Sequence, residues 1–307
     1  MKESGSRQSL GPIGIVLLGI LFGATAPVFI RYSDAPVLVL AAVRKTMAAL
    51  MMLPFVLLRC REELKKVDRR TFLWCLLVGT FLALHFATYF LSVRNTTVTA
   101  ANVLAGTEVI FVSSFLFFTG QERYNAKSVL GIAVALLGGI AVSVTFSGSP
   151  AVNAPLGNLC GVACAILLGA YTLTGTYIRR TAGLSNTLFT FFAYSASAVV
   201  LNLLVLVTGG RVTGHPANNY IAALCLAVFC TFGSHSIFTW SVKYISPTLL
   251  AIMKILMPVP TAVIGYLVLK EMPAWNQIAG GLVVIAGIII YTLNAKPSAR
   301  EPGKTTD

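Results

Sequence analysis

The chain has 307 residues, 56% of them hydrophobic and only 11% charged, with a mean hydropathy of +0.82. A soluble domain carries about 25% charged residues, so there are too few polar side chains here to cover a water-facing globule, and no room for a large soluble domain. The net charge of +13 does not mark a nucleic-acid binder, because the basic residues sit in short loops between apolar runs, the footprint of membrane orientation.

A bilayer core needs about 20 apolar residues per helix. Ten segments meet this: 11–30, 36–58, 71–92, 97–118, 127–147, 157–178, 186–208, 219–241, 248–269 and 275–294. The start, with Lys2, Arg7 and Ala24-Thr25-Ala26 around an apolar run, resembles a signal peptide. A cleavable core is about 7–15 residues long, whereas Leu10–Ile30 is long enough to cross a bilayer, so it is expected to stay as the first helix. Gly23 and Pro27 interrupt it. The second segment carries Arg44 and Lys45, the third His85 and Tyr89, and the fourth Glu108, ending at Glu122. A linker, 148–156, contains Gly148, Pro150 and Pro155 and divides a first unit (11–147) from a second (157–295). The sixth segment holds Tyr171 and the eighth His235. The ninth holds Lys254, Pro258 and Pro260, and ends at Glu271; residues 296–307 form a tail.

With the N-terminus inside, the inner loops and tails hold sixteen Lys and Arg. The outer loops hold four: Arg31, Arg94, Arg211 and Lys270. This bias predicts a multi-pass cell (inner) membrane protein with both termini cytoplasmic. The six cysteines form no CxxC pair and lie mostly inside spans, as small packing residues do. Gly19 and Gly23, Gly157 and Gly161, and Cys160 and Cys164 are spaced by four, which lets helix backbones approach closely in lipid.

Residues 92–140 realign without a gap on 241–289, each shifted by 149. Ser92-Val93-Arg94 falls on Ser241-Val242-Lys243, Thr99 on Thr248, Glu122 on Glu271, Gly131 on Gly280 and Gly138 on Gly287. With five spans per unit, an odd number, the second copy enters the membrane from the opposite side. Such an inverted repeat is a recurrent plan of secondary transporters. The expected fold is therefore all-α and integral to the membrane: ten transmembrane helices as two inverted five-helix repeats.

Several stretches carry a family resemblance. In the first half these are Leu91-Ser92-Val93-Arg94-Asn95-Thr96-Thr97 and Gly120-Gln121-Glu122. In the second they are Trp240-Ser241-Val242-Lys243-Tyr244-Ile245-Ser246-Pro247, Met257-Pro258-Val259, Lys270-Glu271 and Gln277-Ile278-Ala279-Gly280-Gly281 through Gly287. In order, spacing and duplication the chain resembles the EamA-type transporters of the drug/metabolite transporter superfamily over residues 11–295. The resemblance implies a central cavity lined by helices 1, 3, 4, 6, 8 and 9, worked by alternating access. It also implies amino acids, related metabolites or small drugs as cargo, most often exported. One departure stands out. The family's mid-helix-4 proline, matched in helix 9 by Pro258, is replaced here by Val109, preceded by Glu108.

An ionisable residue inside a membrane helix is by default a functional-site hypothesis. Lys254 falls on Ala105 under the repeat offset, three residues from Glu108, so acid and base share the same face of two related helices. They are expected either to pair permanently, to hold the two ends of a zwitterion, or to alternate between the two. His85 falls on Ser234, the neighbour of His235. Both histidines are candidate carriers of a coupling proton, against the alternative of neutral rings bonded to nearby carbonyls. Adjacent Arg44 and Lys45 point about 100° apart, so one is expected to face the cavity and the other to snorkel or meet a helix-end carbonyl. Tyr89, Tyr171 and Trp240 are candidate aromatic walls. Glu122 and Glu271 are expected to be architectural, and Gly23, Pro27, Pro258 and Pro260 to be hinges or tolerated kinks.

No HExxH, GxSxG, paired Asp or P-loop occurs, which argues against an enzyme or a nucleotide-driven pump. A channel is disfavoured by the inverted repeat. The sequence reading is thus a secondary transporter, most simply an exporter, of a small amino-acid-like or zwitterionic metabolite. The alternatives are a lipophilic-cation (multidrug) efflux carrier and an organic-anion or nucleotide-type carrier. No cofactor or nucleic acid is implied beyond a candidate coupling proton. The partners are cargo and lipid bilayer, with monomer and homodimer both open.

Overall fold

The computed structural model describes residues 10–119, 122–123, 125–144, 151–241, 253–254, 256–294 and 296–297. Its helices are α1 (Leu10–Ala24), α2 (Ala26–Tyr32), α3 (Val37–Arg59), α4 (Arg61–Leu64), α5 (Arg69–Asn95), α6 (Val98–Gly106), α7 (Glu108–Phe118) and α8 (Ala126–Ser143). The second half has α9 (Ala154–Thr181), α10 (Asn186–Val207), α11 (Ala217–Cys225), a π-helical segment (Leu226–Ser236), α12 (Ile237–Ser241), α13 (Pro258–Leu269) and α14 (Trp275–Asn294). The described strands are two residues each, Glu122–Arg123 pairing antiparallel with Lys296–Pro297.

Among the described residues, seven helical stretches are long and apolar enough to cross a membrane: Gly11–Tyr32, Val37–Arg59, Arg69–Asn95, Val98–Leu116, Ala154–Arg179, Asn186–Val207 and Ala217–Ser236. Three further apolar helices are shorter, 126–142, 258–269 and 275–291. The expected ninth span, 248–269, lies partly outside the described residues, as do the start of the linker (148–150) and most of the tail. The polarity is inside-out relative to a soluble protein. Leu58, Phe118, Val207 and Trp275 are each 84% exposed, whereas Arg44 and Lys45 are at 2% and 0%. Apolar surface on this scale needs lipid to cover it.

Helix starts follow local chemistry. Asp68, Thr97, Asn125, Asn153 and Ser185 each accept a backbone N–H three residues on and so cap α5, α6, α8, α9 and α10. Helix breaks do so too. Thr25 separates α1 from α2, its hydroxyl returning to the Phe22 carbonyl at 2.7 Å, and Pro27 removes the N–H that the Gly23 carbonyl would accept. Thr107 separates α6 from α7 in the same manner, its hydroxyl bonding the Leu104 carbonyl at 2.6 Å. This second break was not expected, because the family proline is missing there. Shifted by 149, Thr107 falls on Leu256, within the turn ahead of α13. Both repeats therefore break at one equivalent place, with proline in only one.

The main core forms where α3, α5, α10 and the π-helical segment meet. A second cluster joins α6, α8 and α14. The seam between α8 and α14 reads the repeat directly. A Cβ on Gly131 would lie 2.7 Å from the Gly287 carbonyl oxygen, and one on Gly138 2.7 Å from that of Gly280. Gly280 and Gly287 are the repeat partners of Gly131 and Gly138, so the contact is reciprocal. That is the mark of a two-fold relation, and the two helices run antiparallel.

Candidate functional site

The α1–α2 and α6–α7 breaks, the turn ahead of α13 and the π-helical segment lie around a cavity of about 370 Å3. Gly23 lies in its wall on α1, Arg44 on α3, and His85, Phe86 and Tyr89 on α5. Asn102 on α6 and Glu108 on α7 follow. Thr172 on α9, Ser234 and His235 on the π-helical segment, Phe238 on α12, and Lys254 and Pro258 complete the polar and helix-breaking part of the lining. Apolar side chains from α7, α9 and α14 fill the remainder. A larger open hollow of about 740 Å3 lies between the α4–α5 turn and the α9–α10 loop. Its charged groups, such as Lys66 and Arg70, are exposed at helix ends, which makes the inner cavity the better candidate.

Glu108 is the first residue of α7, and its Oε1 accepts the Thr172 hydroxyl at 2.7 Å. Lys254 extends its Nζ to 5.8 Å from the Phe238 ring centre. Glu108 and Lys254 line the same cavity but no ion pair joins them among the described residues. His85 is buried against α9, with Nδ1 3.1 Å from the Cys164 carbonyl oxygen and 3.2 Å from Cys164 Sγ. A carbonyl only accepts, so Nδ1 carries a proton in either charge state. The ring stacks on Tyr89, whose hydroxyl donates to Asn102 Oδ1 at 3.2 Å. His235 enters the same wall from the π-helical segment, where Thr231 donates to the carbonyl five residues back, at Leu226. Such wide-pitched segments recur at functional sites.

Arg44 lines the cavity, donates from Nε to Thr231 Oγ1 at 3.3 Å, and lies 4.4 Å over the Phe86 ring. Lys45 does not line it. Neither residue snorkels and neither meets a helix-end carbonyl, contrary to expectation. Lys45 Nζ instead lies 3.9 Å from the centre of Phe86 and 4.1 Å from that of Tyr194, with no hydrogen-bond partner among the described residues. Aromatic faces can hold a buried cation where lipid cannot, and α5 and α10 supply two.

Tyr171 lies outside the cavity lining and packs on Phe189, because its position on α9 turns it toward α10. Pro27 and Pro260 are also outside the lining and act at helix starts. The side chains of Glu122 and Trp240 lie outside the described residues. Glu271 pairs with Arg31 at 3.5 Å and accepts the Val98 N–H at 2.7 Å. Arg31 also donates to the Val93 and Thr96 carbonyls, and Arg94 to those of Ile30, Ser33 and Ala35. One end of α2, α5, α6 and α13 is thereby tied together. This clasp, and the roles of Thr172, Asn102 and Thr231, went unread in the sequence. Polar residues inside apolar spans were the available signal. No group of three His, Cys, Asp or Glu side chains converges as a metal site among the described residues.

Residues 10–144 and 155–293 each match the EamA-like transporter family. The chain belongs to that family. An uncharacterized transporter of Archaeoglobus fulgidus is 24% identical over 280 residues, covering 91% of this chain and 95% of the relative. An uncharacterized transporter of Bacillus subtilis is 23% identical over 309 residues, covering 99% and 96%. A solved crystal structure superposes with a TM-score of 0.63 at 17% identity, covering 92% of this chain and 97% of the other, a likeness of fold alone. As an EamA-family transporter, the protein is a multi-pass membrane protein built from two copies of one unit.

Proposed function

We propose that this EamA-family protein is a secondary transporter that exports a small, amino-acid-like metabolite across the cell (inner) membrane by alternating access, with both termini in the cytoplasm. The observation that carries the reading is the cavity itself. It holds an acid, Glu108, and a base, Lys254, on opposite repeats, and neither neutralises the other. A carboxylate and an ammonium held apart are complementary to the two ends of a zwitterion. A permanent pair would instead lock the halves.

The cavity size agrees. At about 370 Å3 it sits near the lower end of the usual ligand-pocket range of about 300–1,000 Å3, which suits one metabolite better than a bulky drug. A lipophilic cation would also meet Arg44 and Lys254 unscreened. Alternating access is supported by the paired breaks at Thr107 and ahead of Pro258, where each repeat bends beside the cavity. The Nε2 atom of His85 and the ring of His235 are the candidate carriers of a coupling proton.

The test is counterflow of labelled amino acids into proteoliposomes containing the full chain. Saturable uptake that depends on unlabelled internal amino acid is expected. Unsaturable ionic current, or no uptake of any amino acid by folded protein, would refute the reading.

A further inference from the structure

We infer that the cargo is a zwitterion with surplus negative charge: two anionic groups against one cationic group, as in an acidic or a phosphorylated amino acid. This rests on the transporter reading above and narrows its cargo.

The cavity wall is unbalanced. Arg44 and Lys254 face one acid, Glu108. Arg44 cannot shed its charge, and of its nitrogens only Nε has a hydrogen-bond partner, Thr231, among the described residues. Its remaining donors form a planar fork suited to a carboxylate or phosphate. Behind it, Lys45 is fully buried, its Nζ without a hydrogen-bond partner among the described residues and set against two ring faces. Arg44 and Lys45 share the Phe86 ring, and no ion pair to a protein acid compensates either one among the described residues.

Buried charge is tolerated when it is paired. Among the described residues no ion pair joins any of these groups, and in the cavity wall the cations outnumber the acid two to one. Glu108 has a donor, Thr172, and room for a cargo ammonium. A neutral amino acid would bring one carboxylate and leave the second cation unmatched. A cargo with two anionic heads meets both Arg44 and Lys254 while its ammonium meets Glu108. The separate elements that carry these groups, α3, the stretch ahead of α13, and α7, suit three heads on a short branched skeleton.

Carboxylate and phosphate share this chemistry, and isosteric pairs separate them. Counterflow in proteoliposomes would compare L-aspartate with L-asparagine, L-glutamate with L-glutamine, and O-phospho-L-serine with L-serine. At least one acidic member should be taken up about ten times faster than its neutral twin. Aspartate or glutamate leading identifies a second carboxylate; phosphoserine leading identifies a phosphate. Arg44→Gln should bring that ratio toward one, and Arg44→Lys should preserve part of it. A wild-type ratio of one or below, with neutral members transported, overturns the surplus-charge inference and leaves the transporter reading standing. Absence of uptake for all six overturns both. The wild-type ratio decides the question even if Arg44→Gln does not assemble.

Discussion

The seam between α8 and α14 is a demanding contact, and a single methyl group should expose it. A Cβ on Gly138 would lie 2.6 Å from the Val284 nitrogen, and one on Gly287 2.4 Å from the Ala135 nitrogen. Ordinary contact begins at 3.4 Å, so the backbones must separate by 3.4 − 2.6 = 0.8 Å and 3.4 − 2.4 = 1.0 Å. A gap of about 0.5–1 Å forfeits a quarter to a half of each dispersion well along the seam, and overpacking typically costs about 1–3 kcal/mol. Gly139 is the internal control. It adjoins Gly138 on the same helix, but a Cβ there meets nothing within 4 Å. Both substitutions gain the same helix propensity, about 1 kcal/mol, so their difference isolates the clash. Gly138→Ala should be less stable than Gly139→Ala by about 1–3 kcal/mol, read as the unfolding midpoint in detergent. Because Gly131 meets Gly287 reciprocally, Gly131→Ala with Gly287→Ala should cost less than the sum of the two, since one separation relieves both. Equal midpoints for Gly138→Ala and Gly139→Ala would refute the reciprocal seam.

Glu108→Gln and Lys254→Met should each reduce counterflow more than tenfold at normal protein levels; wild-type rates in either would remove that residue from the site. At the clasp, Glu271→Ala should cost about 2 kcal/mol by stranding the Val98 N–H and removing the acid beside Arg31, and Glu271→Gln, which keeps an acceptor, should cost less. Burial raises the Glu271 carboxyl above its ordinary value, against the pull of Arg31 and the Val98 N–H. The stability owed to that proton is therefore full below the unfolded-state value and is lost as pH rises through the folded one. The difference in unfolding midpoint between wild type and Glu271→Gln should shift in that direction from acidic to neutral pH, and a pH-independent difference would contradict it. Gly23→Ala would place its Cβ 2.8 Å from Ser234 Oγ and 2.9 Å from Met257 Cε. Transport should slow, and Met257→Ala should restore it, since one of the two obstacles is a flexible side-chain tip; absence of rescue would point to Ser234 as the obstacle.

Much of this was legible in the sequence because lipid enforces it. Apolar runs give helices, and the 149-residue offset pairs the glycines that meet at the seam. Glu108, Lys254, His85 and His235 were legible because charge inside a span is costly and therefore conspicuous. Other features depended on three-dimensional neighbours. Nothing in the helical spacing says that Lys45 rests between Phe86 and Tyr194, 41 and 149 positions away in sequence. Tyr171 looked like a cavity wall from its place in a span, but the turn of α9 sends it to Phe189. The Thr107 break escaped notice because proline was the expected signal, whereas a threonine hydroxyl returning to its own helix serves instead.

The breaks also explain how an acid and a base stand in one membrane cavity without pairing. A helix N-terminus favours negative charge and a C-terminus positive charge. Glu108 opens α7 directly after the turn at Thr107. Lys254 is helical and lies just ahead of the turn at Leu256, its carbonyl accepting the Met257 N–H at 3.0 Å. The break thus presents a helix N-terminus to the acid in one repeat, while in the other the base lies just ahead of the equivalent turn. In the partner positions no charge is placed: Met257 follows the second break and Ala105 precedes the first. Glu108 is held by its helix start and the Thr172 hydroxyl, and Lys254 lies over the Phe238 ring, so neither relies on the other. On the proposed transport reading, both charges are available to a cargo, and the helix breaks belong to the candidate site as well as serving as its proposed hinges.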